Sequence, residues 1–138
     1  MVGWREWVSL PELGIERIKV KIDTGARSSS LHAYDIKRFR RDGVRMVRFK
    51  VHPIQRDFRT VVDAEAELIG ERKVRSSTGV QTLRPVVLTD VALMGQRWAI
   101  EVTLTRRDAM GFRMLLGRQA VRGHFLVDAG RSFLSGKR

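Results

Sequence analysis

Asp23 closes an alternating run, Arg17-Ile18-Lys19-Val20-Lys21-Ile22, and is followed at once by Thr24-Gly25-Ala26. Ile18, Val20 and Ile22 share one face by the period of two, which predicts a strand half-buried in a core; a strand so held fixes the carboxylate at its end. Thr24 offers a hydroxyl to neighbouring backbone, and Gly25, without a Cβ, lets a ligand or a second chain approach the main chain. A supported carboxylate on an open turn is suited to taking a proton from water and returning it. The same triplet is also an ordinary turn sequence, because Asp accepts from its own downstream backbone and Gly tolerates positive φ.

A second segment, Met114-Leu115-Leu116-Gly117-Arg118, turns this ambiguity toward chemistry. An apolar strand ending in Asp-Thr-Gly, followed much later by two apolar residues and Gly-Arg, resembles the retropepsin-type aspartic peptidases. The wider chain is similar to the bacterial retropepsin-like family that carries the name ATP-dependent zinc protease. That likeness includes Thr105-Arg106-Arg107-Asp108-Ala109-Met110 before the Gly-Arg segment and Phe125-Leu126-Val127-Asp128 after it, and covers most of the chain. The resemblance implies an all-β fold, a small closed barrel of the acid-protease type with one short C-terminal helix. It also implies amide hydrolysis by activated water, with Asp23, Thr24 and Gly25 as the catalytic loop, Ala26 shaping it, and Gly117 and Arg118 as structural residues beside it. Ser77, Thr78 and Gly79, at the tip of a hairpin running from Lys73 to Pro85, stand where the family carries a flap; an exposed hairpin without a partner is the plainer reading. Some relatives are encoded beside an ATP-grasp ligase that adds glutamates to a ribosomal protein, so trimming of such tails is an implied role.

Aspartic chemistry needs two carboxyl groups around one water, one ionised and one protonated, and proximity creates that asymmetry because two like charges cannot both ionise cheaply. Asp35, Asp42, Asp57, Asp63, Asp90, Asp108 and Asp128 are not followed by Thr-Gly or Ser-Gly, so the chain encodes one half-site. A two-fold homodimer is therefore expected to bring Asp23 and its symmetry mate together.

Arg27 departs from the retroviral pattern, in which an acidic residue follows Asp-Thr-Gly-Ala and can pair with the Gly-Arg arginine. Arg27 and Arg118 would repel if adjacent, so one of them is expected to meet Asp128, Asp108 or another carboxylate, or to face the cleft. With Arg106 and Arg107, Arg27 is a candidate for binding acidic peptide, since guanidinium forks hold carboxylates bidentately. As a solvated surface charge it would do nothing of the kind.

The charge balance, 27 Lys+Arg against 15 Asp+Glu with net charge +12, draws polyanions. The basic residues are dispersed, with Lys37-Arg38-Phe39-Arg40-Arg41 the longest cluster and no RNA-binding motif, so nucleic acid is permitted as a partner but not favoured. A non-catalytic module that holds an acidic tail or RNA on the same barrel is the rival to a peptidase. Zero cysteines remove disulfides, thiolate zinc sites and cysteine nucleophiles. His32, His52 and His124 are scattered without an H-E-x-x-H, so neither metal nor cofactor is expected. Gly130 to Lys137 mimics a phosphate loop but spaces its glycines wrongly and ends in Arg138. No apolar run reaches membrane-spanning length and no secretory pattern opens the chain, which points to a cytoplasmic protein.

A length of 138 residues and 43% hydrophobic content suit one domain, here residues 1–134 with a frayed 135–138 tail. Strands are expected over 4–10, 15–22, 30–37, 45–51, 61–68, 73–76, 80–88, 98–104 and 112–116, and a short helix over 117–122. Turns are expected at Pro11-Glu12-Leu13-Gly14, Arg41-Asp42-Gly43, Ile69-Gly70-Glu71, Ser76-Ser77-Thr78-Gly79 and Met94-Gly95-Gln96. Trp4, Trp7 and Trp98 read as packing residues.

Overall fold

The computed structural model describes residues 1–54, 59–75, 78–105 and 112–134, and these form an almost wholly β structure. The strands are β1 (Val2–Leu10), β2 (Ile15–Asp23), β3 (Ser29–His32), β4 (Tyr34–Arg41), β5 (Val44–Val51), β6 (Val62–Arg75), β7 (Gln81–Leu93), β8 (Gln96–Thr105), β9 (Met114–Gly117) and β10 (Val127–Ser132). A short helix, α1 (Arg118–Val121), follows β9. Strand order is β10-β1-β2-β9-β3-β8-β7-β6-β5-β4, and a further β1–β7 pairing at Ser9 and Ala92 closes β1-β2-β9-β3-β8-β7 into a six-stranded barrel. Closure leaves no open edge among those strands.

Alternation builds the barrel core. Ile18, Val20 and Ile22 of β2 are buried together with Leu10, Leu31, Val91, Val102, Leu104, Met114 and Leu116, each such side chain contributing roughly 1.5–3 kcal/mol when fully withdrawn from water. Phe49, Val47 and Val51 extend this core under the β5–β6 flank. There Glu65 accepts from both Arg41 and Arg48, and these hydrogen bonds hold its carboxyl below the usual value. Two turns take the tight primed form that suits twisted hairpins: Asp42-Gly43, at φ 53° and 80°, and Met94-Gly95, at 52° and 80°.

Three expectations are corrected. The run 30–37 is two strands broken at Ala33, with Asp35 at φ 55°. The turn expected at Ile69-Gly70-Glu71 is a bulge inside one 14-residue strand, β6, where the pairing shifts between Leu68↔Val87 and Gly70↔Val86. A single extra residue thus bends the strand instead of ending it. The third is β10, which polar composition and a central glycine conceal. It runs parallel to β1, with Gly3 opposite Asp128; a Cβ on Gly3 would lie 2.3 Å from the Arg131 carbonyl oxygen, so the two backbones touch. Glu6, fully buried, accepts from the backbone N–H of Gly3 at 2.7 Å and of Leu134 at 2.8 Å. The expected tail at 135–138 lies outside the described residues.

Glu6→Ala strips two N–H groups of their acceptor and opens a void. The expected cost is about 2–4 kcal/mol, read as a thermal midpoint lowered by roughly 5–12 °C; an unchanged midpoint would show that Glu6 does not fasten the β10 segment.

Candidate active site

The strand order makes the Asp23 turn a crossing. β2 and β3 are consecutive in the chain but not neighbours in the sheet, because β9 lies between them, parallel to β2 and antiparallel to β3. Residues 24–28 must therefore step over the end of β9, where Gly117 pairs with Asp23 in register. A Cβ there would lie 2.4 Å from the carbonyl oxygen of Ser28, so only glycine lets the loop pass. Ser29, buried, accepts the Gly117 N–H on its Oγ at 3.0 Å.

Further contacts fix the loop's shape. Asp23 Oδ1 accepts the Gly25 N–H at 3.0 Å, and the Ala26 N–H donates to the Asp23 carbonyl at 3.2 Å. Arg118 and Gln119 open α1 by donating their N–H groups to the carbonyls of Ala26 at 2.7 Å and Arg27 at 3.1 Å. Arg118 Nη1 also donates to the Thr24 carbonyl at 3.2 Å. The loop is held largely by backbone, which leaves the Asp23 carboxylate half-buried and the Thr24 side chain exposed. One bonded carboxylate oxygen and one without a partner among the described residues, on a rigid crossing, can hold a water and exchange a proton with it.

Asp23, Thr24, Gly25, Ala26, Gly117 and Arg118 thus come together around one crossing. Arg27 contributes its carbonyl, while its side chain is exposed and pairs with no carboxylate among the described residues. The pairing considered with Asp128 is not made: β10 carries Asp128 along β1, where it bonds Gly130 N–H and Arg131. Arg118 meets carbonyls instead. The 73–85 hairpin exists as the ends of β6 and β7, paired as far as Arg75↔Gln81, with Thr78 and Gly79 exposed beyond it and Gly79 at φ 87°. Ser77, Arg106 and Arg107 lie outside the described residues. Trp98 packs, as expected, stacking on His124 at 4.1 Å and donating to the Ala120 carbonyl. Among the described residues no three metal-ligating side chains gather, and no helix is long and apolar enough to cross a membrane.

Sequence reasoning missed Arg72. Its Nη1 donates to Ser28 Oγ at 2.8 Å, tying the base of the hairpin to the crossing loop. Both residues line a cleft of about 480 Å³ with Val86, Trp98, Glu101 and Arg122, beside the loop and not over Asp23. Nothing local signals a contact 44 residues apart.

A six-stranded closed barrel with an Asp-Thr-Gly loop crossing a Gly-Arg segment defines a retropepsin-like protein. The chain belongs to the RimB-like family, described as retropepsin-like aspartic endopeptidase RimB, which it matches over residues 1–138. It is also similar to proteins named probable alpha-L-glutamate ligase. That of Parasynechococcus marenigrum is 48% identical over 128 residues, 93% of this chain and 28% of the relative. The one from Shewanella pealeana is 41% identical over 138 residues, 100% of this chain and 30% of the relative. The chain therefore spans under a third of the length of the curated relatives it matches. A Legionella pneumophila crystal structure, protein Lpg0085 of unknown function, superposes with a TM-score of 0.81 at 30% identity, covering 97% of this chain and 96% of that one.

Gly117→Ala forces its new methyl into the Ser28 carbonyl and is expected to cost about 2–3 kcal/mol. Thermal melting should show the loss, and the buried Ser29 hydroxyl should lose its bond. A stability equal to the parent's would mean that the loop crosses elsewhere.

Proposed function

We propose that the protein is an aspartic peptidase, active as a homodimer, that acts on acidic peptide. One observation carries the reading: the Asp23 carboxylate, positioned by Gly25 and the Gly117 crossing, presents a free oxygen at an exposed turn, and the chain supplies one such turn. Across a two-fold axis, ionised Asp23 takes a proton from water while the water oxygen bonds to the peptide carbonyl carbon. Asp23 of the partner subunit, protonated, gives its proton to the carbonyl oxygen. Collapse of the tetrahedral species breaks the C–N bond, the amine leaves with a proton from the dyad, and no covalent enzyme intermediate forms. The exposed 78–79 tip would close over the substrate from above.

A substrate rich in glutamate suits the net charge of +12 and the company that this domain keeps, since it recurs as under a third of proteins named glutamate ligases. The same recurrence favours a second reading, in which the barrel holds an acidic tail without cutting it. Catalysis separates the two.

Asp23→Asn keeps the shape but loses the base, and should abolish cleavage of a glutamate-rich peptide while leaving the thermal midpoint near the parent's. Product masses settle it: cleavage by the Asn variant sinks the peptidase reading, and binding without cleavage by the parent supports the module. Mixing subunits tests the symmetry. If mixed dimers carry only one competent acid, activity should fall as the square of the parent fraction when chains exchange with Asp23→Asn; a linear fall means that each chain works alone.

A further inference from the structure

The inner face of the β6–β7 hairpin carries an arrangement that packing alone does not explain. Arg72 and Arg84 pair directly across the two strands, so their side chains leave the same face. Directly opposed like charges are unfavourable in a sheet. Elsewhere in this sheet arginines are neutralised, Arg38 by Glu71, Arg41 and Arg48 by Glu65, Arg97 by Asp90, or, where Arg40 and Arg45 oppose each other, both are exposed and screened by water. Neither Arg72 nor Arg84 makes an ion pair among the described residues, although Glu101 lines the same cleft as Arg72. Arg84 is half-buried, and its Nε is buried with no hydrogen-bond partner. An unsatisfied guanidinium N–H costs free energy unless a ligand completes it.

Placement supplies the purpose. Arg72 reaches Ser28 Oγ at 2.8 Å, Ser28 lies on Gly117, and Gly117 is in register with Asp23. Arg72 thus stands at the base of the hairpin, next to the crossing loop, lining the cleft of about 480 Å³ that continues past Arg122 and Gln119, and Arg84 stands directly across from it on β7. That volume suits side chains of a bound peptide. A carboxylate seated between two guanidinium forks would accept charge-assisted bonds from both and relieve their repulsion.

We propose that Arg72 and Arg84 form a carboxylate-binding subsite that selects an acidic side chain of the peptide lying along the Asp23 loop. This rests on the peptide-substrate reading above but not on cleavage. The ligand is a peptide carboxylate and not a nucleic-acid phosphate, because the subsite is a narrow pair beside a peptide-sized cleft and not a strip that could follow a phosphate backbone.

The test uses binding by fluorescence anisotropy in the full chain carrying Asp23→Asn, which removes turnover. A labelled hexaglutamate-containing peptide should bind tighter than its glutamine counterpart, and adding Arg72→Gln or Arg84→Gln should weaken the glutamate peptide about tenfold or more while leaving the glutamine peptide unchanged. Arg84→Lys, which keeps the charge but loses the fork, should fall between. Thermal midpoints keep folding separate, and Arg84→Gln, relieved of a buried unpaired N–H, is expected to melt no lower than the parent. Equal affinity for both peptides in the parent overturns the subsite, as does an undiminished preference in both glutamine variants. So does displacement of the peptide by an oligouridylate at lower concentration than free hexaglutamate. In the chain with Asp23 intact, cleavage with an acidic preference that survives both substitutions overturns the subsite and spares the peptidase reading. Arginine-dependent binding with no cleavage does the reverse.

Discussion

The crossing of residues 24–28 over the end of β9 is the constraint on which the candidate site depends. A connection between β2 and β3 would be a simple turn if those strands were neighbours; β9 between them forces the chain over a third backbone. Two main chains can approach that closely only where one lacks a Cβ, and Gly117 meets the condition. The consequence is rigidity from three sides. β2 holds the loop's start through its buried face, α1 holds the middle through two N–H groups, and Ser29 anchors the exit. A carboxylate at such a point pays little ordering entropy on binding, which is what positioned acid–base chemistry requires.

The parts of this arrangement legible in the sequence are those encoded by local pattern. The alternation of Ile18, Val20 and Ile22 predicts β2, and two apolar residues before Gly117 predict a buried strand running into a helix. The parts that stay hidden are set by pairing between distant segments. Ile69-Gly70-Glu71 carries turn chemistry, yet continuous partners on β7 keep the chain extended, and tertiary pairing outweighs local preference. β10 has no hydrophobic rhythm because it is fastened by polar means: backbone pairing to β1, the Arg5 bond to Ser132 and, just past its end, the buried Glu6 carboxylate that accepts the Leu134 N–H. Arg118 illustrates the same limit. Its spacing from Asp23 could suggest proximity, but not that the Thr24 carbonyl rather than a carboxylate would receive its guanidinium.

Places where a structure breaks its own local rules carry information about function. Most of this barrel obeys them: apolar residues alternate inward, and Arg38, Arg41 and Arg48 of the β4–β6 flank find glutamates. The hairpin base does not. Two opposed arginines with no counter-charge among the described residues, one with a buried unpaired N–H, burden the folded state and would be easily relieved by any neutral pair. In the equally basic β4–β5 hairpin Arg38, Arg41 and Arg48 are each matched, and the opposed Arg40 and Arg45 are both exposed, so among the described residues no arginine Nε is buried unpaired there. Basicity alone therefore does not produce it. A bound anion would complete the hairpin electrostatically while leaving it attached to the crossing loop through Ser28, so occupancy at the arginines and the position of the loop beside Asp23 become one mechanical unit.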